Sequence, residues 1–146
     1  GLGDVYKRQD AAHIITDDVG RITARLRAWI DDPQIDVVVT TGGTGLTGRD
    51  STPEAFAAIV EKEIAGFGEL FRMLSYQKNG TSTVQSRALA GVAGGTYLFA
   101  LPGSTSACKD GWDDILRYQL DIRHRPCNFV EIMPRLTESA TTRRSG

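Results

Sequence analysis

Thr41-Gly42-Gly43-Thr44-Gly45 places three glycines and two hydroxyl side chains in one short stretch. Glycine admits positive φ and lets a backbone approach a ligand closely. Successive N–H groups in such a turn form a concave anion nest. The hydroxyls of Thr41, Thr44 and Thr47 lie beside it. The alternative is a tight strand-to-helix connection that holds nothing. An apolar run enters the turn and Ser51-Thr52-Pro53-Glu54 leaves it, and both flanks weigh toward a ligand site.

Asp50 stands just before that exit. It binds Mg²⁺ or acts near a transferred phosphoryl group, or it caps the next helix. Asp17 and Asp18 pose the same choice for a helix beginning near Val19. Two acidic strand ends facing one phosphate need a cation between them, so Mg²⁺ is expected if both bind. Pro102-Gly103-Ser104 is a second close-approach turn, suited to a phosphate through its hydroxyls and the helix N-terminus behind it. An ordinary loop and cap is the competing reading there. Arg87 pairs with a phosphate or with a surface carboxylate. His13 and His124 are isolated, and Trp29 and Trp112 fall on the core faces of helices.

These residues need elements to carry them. His13-Ile14-Ile15 reads as a short strand. Ile22, Leu26, Trp29 and Ile30 mark one face of a helix ending near Pro33. Ile35–Thr40 is β-branched and nearly continuous, as in a strand buried on both faces. Ser51 is an N-cap with Pro following, and Phe56, Ile59, Val60 and Ile64 give that helix its apolar face. Gly66-Phe67-Gly68 breaks the chain before a helix through Leu70, Phe71 and Leu74. Ser82 or Thr83 caps a short helix carrying Ser86, Arg87 and Leu89. Gly94-Gly95 turns into the strand Thr96–Leu101. A helix with Trp112, Ile115, Leu116 and Leu120 follows, then an extended tail from Arg123. Strands alternating with helices predict an α/β fold with a mainly parallel sheet, whose ligand site lies beyond the carboxyl ends of the strands.

The whole chain sets the bounds. Its 146 residues suit one domain, and 40% apolar content is ordinary for a protein with a core. A net charge of −1 gives no global field for nucleic acid, so any anion site is local. Cys108 and Cys127 form no CxxC pair or His cluster, which argues against zinc and for reduced thiols in a cytoplasmic protein. No apolar run reaches the roughly 20 residues of a membrane span. There is no P-loop and no dinucleotide fingerprint. Residues 1–10 read as an unplaced leader, 11–136 as the domain, and 137–146 as a disordered tail.

The ordered series Thr40–Asp50, Thr52-Pro53-Glu54-Ala55, Gly66-Phe67-Gly68-Glu69, Gly80-Thr81-Ser82-Thr83, Gln85-Ser86-Arg87-Ala88 and Leu101-Pro102-Gly103-Ser104 closely resembles the MoaB/Mog family of molybdenum cofactor biosynthesis proteins. Arg125-Pro126-Cys127-Asn128-Phe129 resembles its MoaB branch. The resemblance implies a three-layer α/β/α domain that binds molybdopterin and assembles as a homotrimer or homohexamer. It implies adenylyl transfer from Mg-ATP to molybdopterin with release of pyrophosphate, or a carrier that binds without turnover. It places Thr41, Gly42, Gly43, Thr44, Gly45, Pro102, Gly103, Ser104, Ser86 and Arg87 at the substrate, with Asp50 and Asp17 as catalytic and Mg²⁺-binding groups. Exposed apolar surface along Gly94–Leu101 and the tail would mark the subunit interface. A pyridine-nucleotide hydrolase of the competence-damage family shares the fold, but Thr44 and Arg49-Asp50 favour the molybdenum branch. The family begins with a further strand and helix whose loop carries a Ser-Asp pair. Residues 1–9 stand in its place, so a truncated sequence behind a foreign leader is expected.

Overall fold

The structure, a computed structural model, describes residues 18–139 of the chain. The leader, the strand at His13–Ile15, Asp17 and most of the polar tail, including Arg143-Arg144, lie outside the described residues.

Helix α1 runs Val19–Ile30, and Asp18 caps it by accepting from the Arg21 amide at 3.0 Å. Strand β1, Val37–Thr41, leads into the glycine turn. Helix α2 is Thr52–Ile59, with Ser51 at the N-cap position and proline in the first turn. The Ser51 hydroxyl donates to the Arg49 carbonyl instead of capping. The helix stops before Val60 and Ile64, which were expected on its apolar face. The chain turns there into β2, Lys62–Glu63, with the Glu61 and Ile64 amides bonded to the Val92 and Ala90 carbonyls.

Helix α3 spans Ala65–Asn79, so Gly66-Phe67-Gly68 lies inside a helix and does not break the chain. A 3₁₀ turn, Gly80–Gln85, leads to β3, Leu89–Ala93, and β4, Thr96–Leu101. Ser86 and Arg87 therefore sit on a connector and Leu89 in a strand, where a short helix was expected. Beyond β4, helical chain continues through α4 (Thr105–Gly111), a π turn (Trp112–Leu116) and α5 (Arg117–Gln119). The tail is not extended throughout: α6, Phe129–Ile132, and a 3₁₀ turn, Met133–Arg135, fold back on the body.

The described strands form one sheet in the order β1-β4-β3-β2. The sheet expected to be mainly parallel is mixed here. β1 and β4 run parallel, with Thr41 opposite Leu101, while β3 is antiparallel to both β4 and β2. The cause is local: Gly94 and Gly95, at φ 56° and 85°, close a hairpin that returns the chain at once.

Helices cover both faces, giving the three-layer α/β/α arrangement. On one face Ile22 and Leu26 of α1 and Phe56 of α2 pack with Leu98 and Ala100. On the other, Phe67 and Phe71 of α3 and Ile115 and Leu116 pack with Tyr97, Phe99 and Leu101. The alternating side chains of β4 thus feed both cores, which is why the strand reads as uninterrupted apolar sequence. Phe67 meets Phe99 edge-on at 5.3 Å between centroids, and Tyr97 meets Phe129 at 4.9 Å. The Tyr97 hydroxyl donates to the Phe129 carbonyl at 2.6 Å, and burial pushes its pKa up to about 12. Apolar surface along Gly94–Leu101 and the tail would have been suggestive of a subunit interface. The strand Thr96–Leu101 is buried within the domain; the most exposed large apolar side chains are Leu46, Met73, Tyr76 and Val84, and in the tail Ile132 is exposed too.

Candidate functional site

The parallel register of β1 and β4 brings their carboxyl ends side by side, so the turns leaving them meet. The Gly42 amide donates to the Leu101 carbonyl at 2.8 Å. A Cβ added at Gly103 would come within 3.3 Å of the Gly42 Cα, so the two turns touch backbone to backbone. Gly42 and Gly43 hold φ of 95° and 71°, the region that disfavours a side chain. At Gly43 a Cβ would also lie 2.3 Å from the Thr52 hydroxyl oxygen.

Between the turns is an open pocket of about 430 Å³ lined by Gly42, Gly43, Thr44, Gly45, Asp50, Gln85, Ser86, Pro102 and Gly103. Among the described residues the amides of Gly43 and Thr44 have no protein acceptor, and both residues are on the pocket wall. Thr44 is only 4% exposed. Donors held at a concave wall without partners are what an oxyanion needs.

Asp50 closes the loop. Its carboxylate accepts from the Thr47 hydroxyl at 2.7 Å and the Thr47 amide at 2.9 Å. Those bonds, the hydroxyl first, hold its pKa below the usual value, aided by the Gly45 amide and the nearby Arg87 charge. The group is therefore an ionised staple of the Gly45–Asp50 loop rather than a cap on α2. It is also the carboxylate among the pocket's lining residues. Among the described residues no three His, Cys, Asp or Glu side chains gather into a metal cluster. Mg²⁺ commonly takes only one or two protein carboxylates and completes its shell with phosphates and water. A single Asp50 beside the Gly43 and Thr44 amides fits that habit.

Arg87 reaches the same loop from the far side. Its amide donates to the Thr44 carbonyl at 3.0 Å, Nε to Gly45 O at 2.7 Å and Nη2 to Asp50 O at 3.0 Å. Nη1 pairs with Glu54, whose pKa that bond lowers. Thr52 contributes from α2: its hydroxyl donates to Gly42 O and its amide to Gly43 O, each at 3.1 Å. Ser104 caps α4 by accepting from the Ala107 amide at 3.1 Å.

Of the residues expected at the substrate, Gly42–Gly45, Asp50, Ser86, Pro102 and Gly103 converge on the pocket. Thr41, Ser104 and Arg87 are not among its lining residues, although each is next in sequence to one that is. Asp17 lies outside the described residues. Asp18, its sequence neighbour, is a helix cap. Gln85 and Thr52 were missed as individuals. Gln85 had a signal in its place beside Ser86, whereas Thr52 was read as part of a helix start.

The fold and the pocket define an α/β domain with a glycine-walled pocket at paired strand ends. The family model described as "Probable molybdopterin binding domain" matches residues 8–122. Molybdenum cofactor biosynthesis protein B of Escherichia coli (strain K12) is 50% identical over 127 residues, covering 83% of this chain and 75% of that protein. A crystal structure of molybdenum cofactor biosynthesis protein B superposes with a TM-score of 0.76 at 36% identity, covering 89% of this chain and 76% of that one. The crystal structure of tungsten cofactor synthesizing protein MoaB from Pyrococcus furiosus gives 0.63 at 43% identity, covering 68% and 64%. The chain belongs to the MoaB/Mog family of molybdenum cofactor biosynthesis proteins.

Proposed function

We propose that the pocket binds molybdopterin through its terminal phosphate and that the protein transfers an adenylyl group from Mg-ATP to it. What supports this reading is the pair of amides at Gly43 and Thr44, without a protein acceptor among the described residues and set in a wall shared by two strand-end turns beside an ionised Asp50. Family membership supplies the ligand class.

In this reading the amides orient the phosphate and the open mouth admits the nucleotide. A phosphate oxygen of molybdopterin attacks the α-phosphorus of ATP. The new P–O bond forms as the bond to pyrophosphate breaks. Asp50 would hold Mg²⁺, which supplies charge neutralisation on the phosphates when bound. The protein's own share is positioning, the main lever for phosphoryl-type transfer. Asp17 is proposed as a second acidic group, and Ser104 and Thr41 as hydroxyls at the pocket's edge. The proposal includes a cytoplasmic homotrimer or homohexamer. Among the described residues no helix is long and apolar enough to cross a membrane.

Titration of the protein with molybdopterin, followed by addition of Mg-ATP, tests the reading. Saturable binding and then pyrophosphate release that Asp50→Asn abolishes is the expected result. Binding without release would make the protein a carrier. Absence of binding would overturn both.

A further inference from the structure

We propose that Thr52 and Arg87 are positioning residues: together they pin the carbonyls of Gly42–Gly45, and Thr52 thereby turns the Gly43 and Thr44 amides toward the ligand phosphate. The inference rests on the molybdopterin reading above.

The argument begins with the peptide group. In a trans peptide the C=O of one residue and the N–H of the next point in opposite directions. The chain's described cis bond is Arg125-Pro126, far from this turn in sequence. Four consecutive carbonyls of the turn are tied to the protein. Gly42 O accepts from the Thr52 hydroxyl and Gly43 O from the Thr52 amide. Thr44 O accepts from the Arg87 amide and Gly45 O from Arg87 Nε. Each carbonyl drawn back leaves the following N–H facing the other way. The Gly43 and Thr44 amides follow the two carbonyls that Thr52 holds.

Glycine alone would not fix this arrangement. With no Cβ, a Gly-Gly peptide turns over readily. Turned over, it would present a carbonyl oxygen to the phosphate, and attraction would become repulsion. Thr52 removes that freedom from one side; it is itself buried, at 6% exposed. Arg87 fixes the adjoining Thr44 and Gly45 carbonyls, with each guanidinium nitrogen engaged by Gly45, Asp50 or Glu54. Its effect on the phosphate therefore passes through the loop backbone rather than through direct contact.

Thr52→Val keeps the shape and removes the donor, and Thr52→Ser keeps the donor. Both are titrated, beside the unaltered protein, with molybdopterin and with a phosphate-free pterin. Thr52→Val should weaken molybdopterin about tenfold, the scale of one lost hydrogen bond. It should leave the phosphate-free pterin unchanged, while Thr52→Ser binds both as the unaltered protein does. Equal molybdopterin affinity in Thr52→Val, or equal loss for both ligands, overturns the inference. If Thr52→Val does not fold, Thr52→Ala carries the same comparison, because it too removes the hydroxyl from which Gly42 O accepts. Failure of the unaltered protein to bind molybdopterin would instead overturn the parent reading, and this one with it.

Discussion

Asp50 accepts two hydrogen bonds from Thr47, and bonds of that kind favour the ionised carboxyl. The folded pKa is lowered from 3.8, so the loop's stabilisation is fully present above that value and is lost as pH falls through the lowered one. The side chain is exposed, so the effect belongs to the loop rather than to the whole fold. The Thr47 amide resonance, followed by NMR from neutral to acid pH, should shift with a midpoint below 3.8. A midpoint at or above that value would mean that the staple does not form. At this scale the sequence was informative where chemistry is concentrated. Glycine density marked Gly42–Gly45, and Asp50 stood out as an acid at a loop end. Thr52 was illegible because its role depends on which distant backbone it meets. Thr52 lies ten positions from the Gly42 carbonyl it holds.

β4 and α1 were readable because periodicity and β-branching agree with their surroundings. Leu89-Ala90-Gly91-Val92-Ala93 was not, since Ala and Gly have weak strand preference. Its strand is imposed by pairing with β4 and by close packing: a Cβ at Gly91 would lie 2.5 Å from a Val60 methyl. Gly66-Phe67-Gly68 misled for a related reason. Gly68 is helical because α3 passes so near β3 that a Cβ there would meet the Ala88 carbonyl at 2.8 Å and the Arg72 guanidinium at 2.6 Å. Arg72 spans the same contact by donating to Ala88 O at 2.8 Å. Gly68→Ala should therefore destabilise the protein, despite alanine's better helix propensity, by about 1–3 kcal/mol as overpacking does. Urea denaturation checks this, and an alanine variant as stable as the parent would show that the helix and strand are farther apart.

The three-layer architecture places every residue of the pocket at one end of the sheet, where two parallel strands finish together. That placement followed from the alternation of strands and helices, although the hairpin of β3 and β4 did not. Part of the exposed apolar surface lies on α3 and the 3₁₀ turn, where Val84 is 83% exposed beside the pocket residue Gln85. A self-association face there would leave the site near a subunit boundary. Light scattering should give three or six chains per particle, and a monomer at micromolar concentration would remove that part of the proposal. Calorimetric titration with molybdopterin and with a phosphate-free pterin probes the amide wall itself. The expected result is one molybdopterin per chain, bound at least about tenfold more tightly than the phosphate-free pterin, since two backbone donors meet the phosphate. Equal affinity for the two ligands would contradict a phosphate-binding nest at Gly43 and Thr44.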